Sequence, residues 1–165
     1  MNATELATVF AQPYSQQLLN ANLARVAYNG LDGDPRVIPI GFLWTDGTIK
    51  LYTVPKSPKV KALQANPRVA ITIDTGGMPP RVLLIRGAAA QETVDGVPDG
   101  YLDASRGGIP AEMFADWEAG VRALYEQMVV ITVTPDWAKL LDFETTIPQA
   151  VADLVAQQGD PRGQH

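Results

Sequence analysis

Between residues 23 and 94, apolar and polar positions alternate in short runs broken by turn dipeptides, which is the pattern of strands buried on one face. Residues 23–28 form the first run, closed by Asn29-Gly30 and Asp32-Gly33. Residues 36–44 form a second, and Pro39 within it predicts an edge or bulge position, because proline donates nothing to a ladder. Asp46-Gly47 then turns the chain into 48–53, where Ile49 and Leu51 share a face. Residues 68–74 alternate cleanly, and 81–93 predict a long strand with a bulge or bend at Gly87. Residues 129–134 make a sixth strand, and 137–142 are a candidate seventh.

Helical spacing appears in four places. Residues 4–22 predict a helical lead-in that Pro13 interrupts or divides in two. A short helix follows Ser57, a candidate N-cap, with Pro58 at the first helical position and Asn66-Pro67 as its stop. Residues 111–127 place Phe114, Trp117, Val121 and Leu124 on one stripe, and 148–157 predict a last helix. Residues 95–110, rich in Gly and Pro, read as loop. The sum is a mainly β (α+β) chain: one domain over 1–165, with 1–20 as lead-in and 158–165 as a flexible polar tail. Strands joined by hairpins with few helices point to a closed or nearly closed antiparallel barrel.

Composition narrows the chemistry. The 165 residues include no Cys and one His, the terminal His165. Disulfides, thiolate metal sites, iron–sulfur clusters and Cys nucleophiles are excluded, and a Ser-His-Asp triad or a His-ligated metal or haem is not expected. No apolar run approaches the ~18 residues of a membrane span, and the start lacks a basic and then apolar leader. The expectation is a cytoplasmic protein with no membrane partner.

Charge adds one local feature. The formal net charge is −5, which argues against a nucleic-acid partner. Between 56 and 86, however, Lys56, Lys59, Lys61, Arg68, Arg81 and Arg86 face one acid, Asp74, so this segment carries +5 and the remainder −10. Residues 53–63 lead from a strand into a helix start bearing a hydroxyl and three lysines. Such a start suits a phosphate, because its free N–H groups and partial positive charge favour an anion. A capped surface helix accounts for the same residues, and spacing alone leaves both readings open. Lys59 and Lys61, two apart on a helix, diverge and cannot reach one oxygen.

The order Gly33-Asp34-Pro35-Arg36-Val37-Ile38-Pro39-Ile40, Trp44-Thr45-Asp46-Gly47, Leu51-Tyr52-Thr53, Ser57-Pro58-Lys59-Val60-Lys61-Ala62-Leu63, Asn66-Pro67-Arg68-Val69 and Arg86-Gly87 resembles the pyridoxamine-phosphate-oxidase-like split barrels. Within them it is most similar to the flavin and deazaflavin oxidoreductases. The resemblance covers about residues 20–92, with a weaker echo at 129–143. It implies a six-stranded antiparallel split β-barrel with short flanking helices, a homodimer, and FMN or coenzyme F420 held across the subunit interface. It also implies Ser57, Lys59, Lys61 and Arg86 as ligands of the cofactor's anionic part, with Val37, Ile38, Pro39, Tyr52 and Thr53 along its ring.

The sequence departs from the family at one place. Pyridoxamine phosphate oxidases carry a C-terminal Arg/His signature that holds the substrate, whereas Thr134-Pro135-Asp136-Trp137-Ala138-Lys139-Leu140 has neither residue. Oxidation of vitamin B6 is therefore not expected, and His165 is a poor axial ligand for haem. The expectation is an oxidoreductase that moves a hydride between the bound cofactor and a small organic substrate. A non-catalytic carrier, store or sensor with the same pocket is the alternative. No catalytic acid or base stands out; Tyr52 or solvent would supply a proton. Coenzyme F420 is preferred to FMN, because an extended anionic tail suits cations spread along a groove.

Overall fold

A computed structural model of the chain describes residues 1–158. The lead-in is two helices, α1 (Ala3–Ala11) and α2 (Pro13–Leu19), divided at Pro13. Asn2 and Glu5 close a capping box at the start of α1. Seven strands follow: β1 (Ala24–Asn29), β2 (Pro35–Ile40), β3 (Phe42–Thr45), β4 (Thr48–Thr53), β5 (Arg68–Asp74), β6 (Val82–Asp95) and β7 (Gln127–Leu141). Helix α3 (Pro58–Ala65) joins β4 to β5. Helices α4 (Asp99–Arg106) and α5 (Phe114–Leu124) lie between β6 and β7, and α6 (Gln149–Gln158) ends the described chain. Among the described residues no helix is long and apolar enough to cross a membrane. The tail expected at 158–165 lies, beyond Gln158, outside the described residues.

The strands form one antiparallel sheet in the order β2-β1-β5-β6-β7-β4-β3. Its two edge strands, β2 and β3, are separated in sequence by Gly41 alone. One residue spans under 4 Å of chain, so the sheet has to curl until its edges meet, and the result is the split barrel. The stretch expected as one strand over 36–44 is thus two, broken where the chain changes edge. Pro39 sits on the edge, as its missing N–H requires.

Alternation sorts the side chains. Ile49, Leu51, Ile71, Ile73, Leu83, Ile85, Ile131 and Val133 fill the barrel, each almost wholly buried. Phe10, Leu18 and Leu19 of the lead-in close this core, with the Phe10 ring tilted against Trp44 at 4.7 Å. A second cluster lies on the outer side, where α4 and α5 cover Tyr52, Met128 and Val130 with Leu102, Phe114 and Val121. The segment 95–110 is therefore not all loop. Leu124, expected on the buried stripe of α5, is 68% exposed at the helix end.

β7 is one strand of 15 residues rather than two. Arg86 pairs with Trp137 and Gly87 with Pro135, which leaves Asp136 as an extra residue. This bulge accommodates Pro135, which has no N–H to offer. It also explains the glycine: a Cβ on Gly87 would lie 2.4 Å from the Thr134 carbonyl oxygen. The freed Asp136 reaches across the sheet to pair with the Arg68 guanidinium.

Across the outer face, one row of paired positions runs Val37, Ala27, Ala70, Arg86 and Trp137. Val37 is 66% exposed there. The row mixes small apolar residues with Arg86, and the Arg25–Asp74 and Arg68–Asp136 ion pairs flank it.

Among the described residues, three buried side-chain polar atoms have no partner, on Ser15, Arg81 and Gln91. The Ser15 hydroxyl on α2 is fully buried without a hydrogen bond. Burying an unpaired hydroxyl costs free energy, and alanine is the better helix former. Ser15→Ala is expected to leave stability unchanged or raise it by up to about 1 kcal/mol, measured by urea denaturation.

Candidate functional site

The end of β4 and the start of α3 build the most chemically distinctive group. Pro58 begins the helix at its first position, where a missing N–H costs nothing. Ser57 occupies the N-cap position with extended backbone, yet its side chain caps no helix N–H. Its hydroxyl instead accepts a hydrogen bond of 2.7 Å from the Lys59 ammonium, and Thr53 Oγ1 accepts another at 3.2 Å. The expected side-chain cap is absent because the lysine claims the hydroxyl.

Lys59 is half-buried, and burial pushes its pKa below the ordinary lysine value. Among the described residues no carboxylate pairs with it. An ammonium held by two neutral hydroxyls keeps its full charge for an incoming anion, and the hydroxyls fix where that charge sits.

The other predicted residues divide among separate surfaces. Lys61 lines a cleft of about 390 Å³ between α3 and the β1–β2 turn, with Tyr28, Leu31, Asp32 and Arg36. This bears out the divergence of Lys59 and Lys61. Arg86 lies over the Trp137 ring at 4.4 Å and borders a neighbouring cleft of about 280 Å³ with Arg68 and the other side of Tyr28. Val37 and Pro39 point outward from the edge strand, whereas Ile38 turns in to pack on the core.

Tyr52 and Thr53 take opposite faces of β4, so they do not line one site. Thr53 faces Lys59. Tyr52 is buried beneath α4, 6.1 Å from the Tyr101 ring, and borders a small cavity with Ile40, Gly41, Tyr101 and Ser105. Burial and, after it, the charge of Asp103 raise its pKa, so the phenol stays protonated.

Two cations expected in an anionic groove are neutralised or diverted. Arg81 lies 3.7 Å over the Tyr14 ring and 3.7 Å from a Glu144 carboxylate oxygen. Lys56 lies beside a groove of about 440 Å³ that Val54, Leu124 and Tyr125 also line. Tyr28 and Arg36 were not among the expected site residues; Tyr28, on the side of β1 that Val26 also faces and packed against the barrel core, borders both basic clefts at the Asn29-Gly30 end of the strand.

Comparison with known proteins places this architecture. The model of the family described as pyridoxamine 5'-phosphate oxidase matches residues 11–140, more than half the chain. The chain belongs to the pyridoxamine 5'-phosphate oxidase family. Solved structures share the family's split barrel at low identity. A protein named F420 reductase is 24% identical with a TM-score of 0.59, over 78% of this chain and 97% of its own. A conserved hypothetical protein from Mycobacterium tuberculosis is 20% identical with a TM-score of 0.58, over 87% and 86%. General Stress Protein 26 from Bacillus anthracis is 15% identical with a TM-score of 0.55, over 78% and 92%. At these identities the likeness is one of fold. No curated protein matches the sequence.

Proposed function

We propose that this member of the family is a homodimeric oxidoreductase that holds a deazaflavin of the coenzyme F420 type, in preference to FMN. When bound, such a group accepts or donates a hydride to a small organic substrate. The observation that carries the reading is the Lys59 ammonium, half-buried, held by Thr53 and Ser57 and lacking a carboxylate partner. Its donor set fits the anionic part of such a cofactor: one fixed positive charge with two hydroxyls beside it, at the N-terminus of α3.

Two further observations support the preference for the deazaflavin. Lys61 and Arg86 stand in adjoining clefts on either side of Tyr28, and neither has an acidic partner among the described residues. An anionic tail leaving Lys59 meets separated cations there, while a single phosphate needs only the first. A protein of like fold is named F420 reductase. The outer face around the exposed Val37 is the surface on which a second copy is placed in this reading.

Titration of coenzyme F420 and FMN at low and high salt tests the choice. The deazaflavin is expected to bind more tightly at low salt and to lose more affinity as salt rises, since several contacts to a polyanion are screened together. Tighter binding of FMN under both conditions overturns it. Consumption of the reduced cofactor by a panel of enones and quinones is expected to show turnover; binding without turnover on the whole panel favours the carrier reading.

A further inference from the structure

A cavity of about 220 Å³ lies between α4 and the junction of β2 with β3 at Gly41. Ile40, Gly41 and Ala104 give it apolar walls, and Tyr52, Tyr101 and Ser105 complete the lining. Tyr52 reaches it from one face of β4, whereas Thr53 meets Lys59 on the other. The cavity is therefore separate from the site of the Lys59 ammonium.

Tyr52 carries the chemistry. The residue is only 8% exposed, and its hydroxyl has no hydrogen-bond partner among the described residues. Its oxygen is nevertheless not sealed in, as the unpartnered atoms of Ser15, Arg81 and Gln91 are. Its position is fixed, because it presses on Gly100 of α4 and has a Leu43 methyl group close by. Burial and, after it, the charge of Asp103 keep the phenol protonated, so it is a donor at neutral pH. A buried phenol without a partner costs free energy, and an occupant that accepts its hydrogen bond recovers that cost.

The walls define the occupant. No lysine or arginine lines the cavity, and the charge that acts on Tyr52 is the carboxylate of Asp103. An anion would lose its hydration here and gain no cation in return. The volume lies below the range of about 300–1,000 Å³ that takes drug-sized ligands, so the occupant is small. The Ser105 hydroxyl already donates to the Tyr101 carbonyl oxygen at 2.8 Å. A carbonyl oxygen accepts a hydrogen bond and brings no proton that needs a partner of its own.

We propose that this cavity binds a small neutral carbonyl compound, whose oxygen accepts a hydrogen bond from the Tyr52 phenol while its hydrocarbon part rests on Ile40, Ala104 and the Tyr101 ring. The inference concerns binding alone and does not rest on the proposed cofactor. Failure of the cofactor titrations leaves it standing, and its own failure leaves the cofactor reading standing.

The test uses the full chain without cofactor and 2-cyclohexen-1-one as the ligand, titrated at pH 7 by ligand-detected NMR. The enone is expected to bind, with intermolecular NOEs to the Tyr52 and Tyr101 rings. Tyr52→Phe keeps the ring and removes the donor, and is expected to weaken binding about three- to tenfold. Cyclohex-1-ene-1-carboxylate, the same ring with a charge, is expected not to displace the enone at equal concentration. Absence of enone binding, or NOEs to another cleft alone, overturns the proposal; these are read on the wild type and hold even if Tyr52→Phe fails to fold. Equal affinity in a folded Tyr52→Phe removes the phenol as donor and overturns it as well. Displacement of the enone by the carboxylate overturns the neutral class.

Discussion

Replacing Lys59 by alanine is expected to weaken cofactor binding by about 1.5–3 kcal/mol, roughly tenfold to a hundred and fifty-fold, the usual worth of a hydrogen bond to a charged group. Lys50→Ala, on the other side of β4, is the control and is expected to have little effect. Folding should barely change, because the Lys59 ammonium contacts only two hydroxyls. The affinity should also depend on pH in a definite direction. Burial lowers the Lys59 pKa, so the ammonium is lost at a lower pH than for an ordinary lysine. An anion binds the charged form, so affinity is full below that pKa and falls as pH rises through it. In Lys59→Ala this alkaline fall should vanish. Isothermal titration of both variants across the range checks it, and equal losses in Lys59→Ala and Lys50→Ala would show that general charge, not a site, attracts the ligand.

Asp142→Asn is expected to cost about 2–4 kcal/mol of folding stability, the largest effect of any single polar substitution considered, because it strips charge from a carboxylate with many donors. Asp142 is 3% exposed. It accepts backbone hydrogen bonds from Glu144 at 3.0 Å and from Thr145 and Thr146 at 2.8 Å each. The hydroxyls of Thr145 and Thr146 add two more, at 2.6 and 3.1 Å. Burial works to raise its pKa, but the bonds from the Thr145 hydroxyl and from the N–H groups of residues 144–146 outweigh it and hold the carboxyl far below the usual range. A depressed carboxylate pKa gives stability that is present above the unfolded value of about 4 and lost as pH falls through the folded one. The gap between wild type and Asp142→Asn should therefore be full at pH 7 and shrink in acid. Urea denaturation at both pH values measures it; a gap of under 0.5 kcal/mol at pH 7, within the scatter of surface substitutions, would show that the loop holds without the charge.

The barrel was legible in the sequence because its signals are local. Alternation, turn dipeptides and the Pro58 helix start each act within a few residues, and strands, edge proline and α3 follow from them. Signals that depend on a distant partner were less legible. Trp137 and Lys139 read as a separate strand because Pro135 looks like a break, and only the pairing with Gly87 turns the break into a bulge. Helix α4 was hidden by glycines and prolines that lie mostly at its ends, where Pro98 and Gly107 cap it. The one inside it, Gly100, is there for Tyr52, whose hydroxyl would lie 2.0 Å from any Cβ. For the site, the segment 53–59 was legible, but which cations have acidic partners was not. Glu144 takes Arg81 and Asp136 takes Arg68 from 63 and 68 positions away, and nothing local announces either pairing.

The β6–β7 hairpin has a consequence for how this chain can change over time. Its ladder closes at Asp95 and Gln127, so residues 96–126 hang from two neighbouring points of backbone. They pack on the outer side of the sheet, against Leu43, Tyr52, Met128 and Val130, in a cluster separate from the barrel core. Doubling the length of a flexible connection costs only about 0.6 kcal/mol in closure entropy. Insertions, deletions or a wholly different cap can thus be traded at this point while Lys59, Thr53 and Ser57 keep their places. The hairpin tip is where descendants of this chain can acquire a new cover over β4 and β7 without having to reinvent the barrel.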